Sequence, residues 1–518
     1  MKNDKQSEAL RAAGNKLYSE RRFFEALLKY NESLCTASVE SENLGLAFAN
    51  RSAVYLEIKL YEKSLKNIEL ARSHNYPSKN LEILEKRAAK CRELMKNSLQ
   101  LVDPWNFFKL SYKPNKKLPF AVDLLEVRVD KKYGKHIVAK QDVKVGDVLL
   151  IERPFCSSLI SESRFIEVES SNKYQRCGNC MKDNILDLVP CSNCCSIMFC
   201  SMECQKESFQ RFHKLECPVM HLSSKSGSVS IALRLLFNAL SAFDSVEKLQ
   251  KFMTENENSS ATAFDFDFSK DDFIDNTKNY LKCVNSLCKS AKTFSLQTHC
   301  DILKNHPTLK ETWKSHEMFL TDLIQSFCKV NDLNFHGVFG TSLKPAQLKN
   351  NTTIFRDYQQ PIGNGCFPVC SLINHSCAPN VVRICVEGKI VLIACRPIGK
   401  GSQLFDSYKV NFNMQPKSER QTLLYREFNF KCDCEACEGN FPSLPQLPYK
   451  KLNVLKLAKR ADEEILHLIP SQAAKKYHQC CQLVQQNHQQ FPSLEASMLQ
   501  KSMSMFLLYQ ARSSYTFN

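Results

Sequence analysis

The chain has 518 residues, 43% of them hydrophobic, with a formal net charge of +16 and 25 cysteines. That length suggests three or four domains with real apolar cores. The polar opening MKNDKQSEALRAAG has no apolar signal core and no apolar run is long enough to span a bilayer, so a reducing nuclear and cytoplasmic setting without membrane association is expected. There, cysteines read as metal ligands or buried thiols before disulfides.

Residues 1–100 read as helical repeats. Gly14, Leu17, Ala26, Tyr30 and Ser33 recur at helical spacing, and Ser52, Tyr55, Ser64, Ile68 and Ala71 occupy matching positions in a second copy. Small residues at these points let paired helices approach closely. The pattern resembles the tetratricopeptide repeat, with a further helix expected over Leu81–Leu99.

Residues 120–170 alternate apolar and polar residues between turn glycines and read as strands. A cysteine-rich stretch follows at 177–217. Residues 218–333 read as a helical insert interrupted by TENENSSATAFDFDFSKDD, whose acidic, Ser/Asn-rich composition predicts a flexible insertion. Residues 334–410 return to strand texture, with Val381–Val410 the strongest stretch. Residues 411–440 hold a second cysteine group, and 446–518 read as a helical tail.

The first cysteine group forms a ladder: Cys177 and Cys180, Cys191 and Cys194, Cys200 and Cys204, His213 and Cys217. Eight S or N ligands make two closed tetrahedral zinc sites, which leave no open position for substrate. Loops this short cannot build a core unaided, so metal binding is expected to supply their folding energy. Cys195 is surplus. The second group, Cys432, Cys434 and Cys437, needs a fourth ligand, for which Cys377 is the candidate. Cys366, Cys370, Cys385 and Cys395 sit in apolar texture and read as buried thiols.

The stretch GCFPVCSLINHSCAPNVV, the later GSQLFDSY and the segment FNFKCDCEAC resemble the signature of SET-domain lysine methyltransferases. With the cysteine ladder, which resembles a MYND finger, the order of segments is similar to the tetratricopeptide-bearing branch of the SET and MYND domain-containing family. That resemblance implies an α+β multidomain fold, with a β-rich SET domain split by a two-zinc finger and a helical insert, then a post-SET zinc clamp and C-terminal helices. It implies interleaved finger sites, Cys177, Cys180, Cys200 and Cys204 for one zinc and Cys191, Cys194, His213 and Cys217 for the other. It implies S-adenosylmethionine as methyl donor and a protein or peptide lysine as substrate. Asn374 and His375 would contact the donor, Tyr408 would be catalytic and touch the donor, and Phe430 would pack on its adenine. Gly134, Lys135 and His136 align with the cofactor loop, His136 standing where the family has a second glycine and either covering the donor or filling that position. Asn334 aligns with a donor-binding asparagine, with Asn331 close by.

The sequence departs from the family at Phe428, where many members carry a tyrosine, and at Ser402-Gln403, where they carry two glutamates. The tail is also shorter than the family's. A different class of function is a weakly active or inactive adaptor that recruits chromatin regulators or chaperones through its repeats and finger. The basic charge is spread over short clusters, so direct nucleic-acid binding is not expected, and a monomer is.

Overall fold

In the computed structural model, residues 2–99, 101–160, 172–182, 185–223, 227–347, 353–450 and 468–511 are described. The strand expectation for 161–170 and the helical expectation for 451–467 and 512–518 lie outside them.

The small residues of the N-terminal segment mark where its helices meet. Helices α1 (Asp4–Ser19) and α2 (Phe23–Thr36) form one hairpin, α3 (Glu42–Glu57) and α4 (Tyr61–Arg72) a second. Helix α5 (Leu81–Leu94) lies against the second hairpin. A Cβ added at Gly14 would stand 2.5 Å from the Tyr30 ring, and one at Gly45 would stand 2.3 Å from the His74 carbonyl oxygen, so neither helix pair tolerates a side chain there. Asn3 and Ser41 cap α1 and α3 by accepting from the N–H groups of Gln6 and Asn43.

These helices dock on the cysteine-rich segment by burying Ile185, Leu186, Leu188 and Met198 among their apolar side chains and by bonding to its carbonyls. Arg51 is 1% exposed, and its Nη1 donates to Leu188 O at 2.6 Å and to Asn31 Oδ1 at 2.8 Å while Nε donates to Asn67. The Tyr55 hydroxyl donates to Leu186 O at 2.5 Å, and the Asn31 amide donates to Tyr174 O and Ile185 O, both at 2.9 Å. Lys2 Nζ bridges Cys35 O and Cys191 O, and Lys63 pairs with Asp187.

The β-rich part is built from small sheets. Strand β1 (Leu125–Asp130) pairs antiparallel with β2 (Gly134–Ala139). Strands β3 (Val148–Glu152) and β4 (Cys156–Leu159) follow, and the finger's described strands are the short pair β5 (Val189–Pro190) and β6 (Met198–Phe199), followed by a helix at Met202–Ser208. The insert is helical: α6 (Gly227–Ser241), α7 (Val246–Glu255), α8 (Phe273–Asn285), α9 (Gln297–Lys304) and α10 (Lys310–Asn334). None of the described helices is by itself long and apolar enough to cross a membrane.

The acidic stretch before α8 corrects the flexible-insertion reading. A Thr262–Asp265 capping box opens a 3-10 turn at Ala263–Asp265, and Ala263 and Phe268 are buried in the main core. The Phe268 ring lies 4.4 Å from that of Tyr280, and its N–H donates to Lys117 O at 2.8 Å. In FDFDF the phenylalanines find apolar partners, and their burial outweighs the acidic composition.

Beyond α10 run β7 (Phe335–Gln347) and β8 (Thr353–Cys366), joined in a sheet of order β4-β8-β7. Next come the two-residue β9 (Asn374–His375), then β10 (Val381–Val386) and β11 (Lys389–Ala394), the last two in a sheet of order β10-β11-β3. After β11 the expected continuous strand texture gives way to turns with isolated antiparallel bridges at Ile398 and Gln403, followed by β12 (Phe405–Asp406), parallel to β9. Helix α11 (Lys417–Phe428) precedes the second cysteine group, and α12 (Pro470–Gln486) and α13 (Leu494–Ala511) close the sheet from outside. Phe107, from the segment joining the repeats to the strands, packs its ring 5.5 Å from that of Tyr477 on α12.

Candidate functional site

The cysteines gather in the interleaved sets that the family resemblance implies. Three groups each bring four ligand atoms within 4.8 Å of one another: Cys177, Cys180, Cys200 and Cys204; Cys191, Cys194, His213 and Cys217; and Cys377, Cys432, Cys434 and Cys437. Sulfurs of Cys180 and Cys200 lie 3.6 Å apart, those of Cys191 and Cys217 3.9 Å, and those of Cys377 and Cys437 3.6 Å. Tetrahedral zinc with Zn–S near 2.3 Å sets its sulfurs about 3.8 Å apart, so all three groups fit that ion.

The set of Cys191, Cys194, His213 and Cys217 has a built outer layer. Glu216 stands 3.3 Å from His213 Nδ1, and Arg234 grips both Glu216 oxygens at 2.8 and 3.0 Å. Burial opposes the charge on Glu216, but Arg234 and His213 outweigh it and hold the carboxyl down at about 2. A fixed carboxylate on Nδ1 leaves Nε2 for the metal.

The main cleft, about 1120 Å³, opens between β2, the end of the helical insert and the second cysteine group. Its position follows from how the chain threads. Ala139 N–H donates to Ser402 O at 3.0 Å and Leu404 N–H to Ile137 O at 2.9 Å, which lays residues 402–404 along β2. The next residues pair with β9, Phe405 beside Asn374 and Asp406 beside His375. Tyr408 is thereby brought against His375.

Asn374, His375, Tyr408, Phe428 and Phe430 all line this cleft. The Asn374 amide donates to Tyr133 O at 3.1 Å. The Tyr408 hydroxyl donates to Ile373 O at 2.7 Å, and burial pushes its phenol above the usual range, so it is a neutral donor at pH 7. Burial brings His375 down to about 4, so its ring is neutral. The Tyr408 and Phe428 rings lie 5.0 Å apart, and Phe430 lies 6.0 Å from His375.

Gly134 and Lys135 also line the cleft, with Lys135 Nζ near Ser286 O at 3.4 Å. The His136 side chain is not among the cleft's lining residues: it is 5% exposed, 2.9 Å from Gly134 O and 3.7 Å from Asp130. In a strand, successive side chains point to opposite faces, so with Lys135 toward the cleft His136 must turn from it. Asn334 lines the cleft and Asn331 does not; the Asn334 amide donates to Cys288 O at 2.6 Å and Val330 O at 2.9 Å. Of the expected buried thiols, Cys366, Cys370 and Cys395 are buried and Cys385 is half-buried.

Three residues escaped sequence reasoning. Asn380 donates to Gln403 O at 2.9 Å and accepts from Phe405 N–H at 2.7 Å, tying the threaded segment to the signature loop. Arg383 on β10 pairs with Asp406 and also reaches His336. Glu152, 1% exposed, accepts from the N–H groups of Val369 and Cys370 at 2.8 and 2.9 Å, and burial raises it to about 7 against those two bonds. Only Asn380 left a trace, inside the quoted SCAPN run; the other two bind groups distant in sequence, Arg383 on a neighbouring strand and Glu152 at a turn.

The SET domain family model matches residues 134–409. The chain is 23% identical to human protein-lysine N-methyltransferase SMYD4 over 83% of this chain and 66% of that protein. It is 22% identical to the Danio rerio SMYD4 over 84% of this chain and 66% of that protein. To N-lysine methyltransferase SMYD2 of Gallus gallus it is 26% identical over 51% of each chain. The chain thus spans just under two thirds of the length of the SMYD4 relatives.

Proposed function

Since the chain belongs to the SET-domain family, on its SMYD branch, we propose that it is an S-adenosylmethionine-dependent protein-lysine N-methyltransferase. The observation that carries this reading is the meeting of Asn374, His375 and Tyr408 in one cleft walled by Phe428 and Phe430. The residues suit the donor: Lys135 offers a cation for a carboxylate, Phe430 an aromatic face for a purine, and Asn374 keeps its amide oxygen outside the bond to Tyr133. S-adenosylmethionine, when bound, supplies a methyl group on a sulfonium sulfur. Everything else is positioning, water exclusion and control of one proton.

Tyr408 is the proposed catalytic residue. Its neutral hydroxyl and the Ile373 carbonyl are a donor and an acceptor fixed 2.7 Å apart, a pair that can orient an incoming amine. Phe428 keeps the neighbourhood apolar, which disfavours the ammonium form of the substrate lysine. His375 positions Tyr408 by accepting the tyrosine's backbone N–H at its ring Nδ1. Gly134, Lys135, Asn334, Asn374 and Phe430 are assigned to donor binding, and His136 to packing beneath the cofactor strand. The three four-ligand groups are read as structural zinc sites, two in a MYND finger and one in the clamp. The N-terminal hairpins are read as tetratricopeptide repeats.

Calorimetric titration of S-adenosylmethionine into the zinc-loaded chain, wild type beside Asn374→Ala, tests the reading. Binding that the substitution abolishes supports it. No binding to the folded, metal-replete wild type refutes it and leaves the adaptor function, which the departures at His136 and Phe428 favour.

A further inference from the structure

Tyr408 stands on thin backbone support. The strand before it, β12, is two residues long and pairs only with Asn374 and His375 of β9. Directly after the tyrosine, Lys409 turns the chain at a φ of 72°. So short a ladder is a weak hold for a group whose misplacement by about an ångström costs much of the rate.

A guanidinium behind that strand adds the missing hold. Arg383 on β10 pairs through Nε with the Asp406 carboxylate, and its Nη2 donates to Ser407 O at 3.4 Å, so it grips both residues that lead into Tyr408. Asp406 is buried, and its backbone oxygen accepts from Ser376 N–H at 2.9 Å. Nη1 of the same guanidinium donates to Nδ1 of His336 on β7. Burial, reinforced by the adjacent guanidinium, pushes the His336 ring well below its ordinary value, so the ring is neutral and its proton sits on Nε2.

That nitrogen faces Ser371 Oγ at 3.4 Å, and the serine hydroxyl donates toward Asn334 O at 3.1 Å and Phe367 O at 2.9 Å. The donors therefore run in one direction, from Arg383 to His336, to Ser371, to the main chain of Asn334. Ser371 and Asn334 line the cleft, whereas Arg383, His336 and Asp406 are not among its lining residues and lie one layer behind. A planar guanidinium fork can serve Asp406, Ser407 O and His336 together; a lysine ammonium is a point charge without that fork.

We propose that Arg383 is a positioning residue for methyl transfer, pinning the segment that carries Tyr408 to the wall that carries Asn334 through His336 and Ser371. This role rests on the methyltransferase reading. The Asn334 amide keeps its own bonds to Cys288 O and Val330 O, so the donor side of the tie holds when the guanidinium is changed.

The test uses the full-length, zinc-loaded chain. Arg383→Lys keeps a cation for Asp406 and loses the fork. Its melting temperature should match wild type and its calorimetric affinity for S-adenosylmethionine should stay within about twofold, while single-turnover methyl transfer to a histone mixture at saturating donor falls about tenfold. Hydrogen exchange over residues 404–410, read by mass spectrometry, should speed about tenfold, with β11 unchanged. The double variant Arg383→Met/Asp406→Leu guards against loss of fold, since apolar residues of similar volume can replace a buried ion pair without loss of stability. It should melt like wild type, yet show the faster exchange and slower transfer of Arg383→Lys. Wild-type exchange and wild-type transfer in these folded variants overturn the proposal and leave the pair a matter of stability alone. A folded wild type that binds no donor refutes the methyltransferase reading and this role with it, so the two failures are told apart by the wild-type titration.

Discussion

The backbone N–H of Tyr408 donates to Nδ1 of His375 at 2.9 Å. That bond fixes His375 as a neutral ring with its proton on Nε2, and it anchors the tyrosine's main chain while the hydroxyl is held at Ile373. The two residues therefore move as one unit.

Removing the hydroxyl should separate binding from chemistry. Tyr408→Phe keeps the backbone bond to His375 and loses only the bond to Ile373. S-adenosylmethionine affinity by calorimetry should stay within about twofold, while single-turnover methyl transfer to a histone mixture should fall on the order of 100-fold, the usual effect of misplacing a reacting group. Equal losses of both would show that the hydroxyl serves the fold.

Phe428 is the place to alter how many methyl groups are added. Its ring is 5.0 Å from that of Tyr408, so Phe428→Tyr sets a second hydroxyl near the amine. A hydrogen bond there, about 1–3 kcal/mol, should hold a partly methylated amine in an unproductive orientation. Mass spectrometry of the product should shift toward monomethyl-lysine; an unchanged distribution counts against Phe428 as a control point.

Metal content is directly countable. Plasma emission spectrometry should find about three zinc ions per chain, and about two in either Cys194→Ser or Cys434→Ser, since a structural site needs all four ligands. The two variants should differ in consequence. Cys434→Ser opens the group beside Tyr408 and Phe430 and should weaken cofactor binding, whereas Cys194→Ser should spare it. Two zinc ions in the wild type would remove one of the three sites.

Glu152 predicts a pH effect on stability. Burial raises its carboxyl from 4.5 to about 7, so the folded protein holds that proton more tightly than the unfolded chain. The contribution is fully present below about pH 4.5 and is lost as pH rises through 7, a change on the order of 3 kcal/mol. The difference in melting temperature between wild type and Glu152→Gln should therefore grow in favour of the variant from pH 5 to pH 8. A constant difference would mean that Glu152 does not titrate in this range.

The Arg51 dock should be costly to break. Arg51→Met removes the donors to Leu188 O, Asn31 and Asn67 at a buried site, about 1–3 kcal/mol for each group left unpaired. Limited proteolysis should then cut between the N-terminal helices and the rest of the chain faster than in wild type. Unchanged kinetics would show that apolar contacts alone hold the dock.

What the sequence revealed and what it hid follow from distance along the chain. The finger's ligands declare themselves because pairs such as Cys177 and Cys180 are local, and Cys377 could be matched to Cys432 because three thiolates lack a fourth. The signature residues were legible for the same reason. Glu152 and Arg383 were not, because each satisfies a group distant in sequence that only the threading brings near, Glu152 the turn at Val369 and Cys370 and Arg383 the strand residue Asp406. Asn334 was placed at the cleft, yet its amide's attachment to Cys288 O depends on how the insert folds back. His136 shows the limit of alignment: a residue can occupy a motif position while its side chain leaves the site. The flexible reading of TENENSSATAFDFDFSKDD failed because average composition hid three regularly spaced phenylalanines.

Asn31, Arg51 and Tyr55 grip the main-chain oxygens of Tyr174, Ile185, Leu186 and Leu188 rather than polar side chains. Any amino acid offers that oxygen. The polar recognition at the joint is thus written mainly on the helical side, while the finger's flank is held by its backbone path, by the apolar side chains of Ile185, Leu186 and Leu188 buried among the helices, and by Asp187 paired with Lys63. Surveys of natural variation should find the helix donors fixed in identity, and the residues whose carbonyls they hold fixed only in apolar character where, as at Ile185, Leu186 and Leu188, the side chain is buried among the helices.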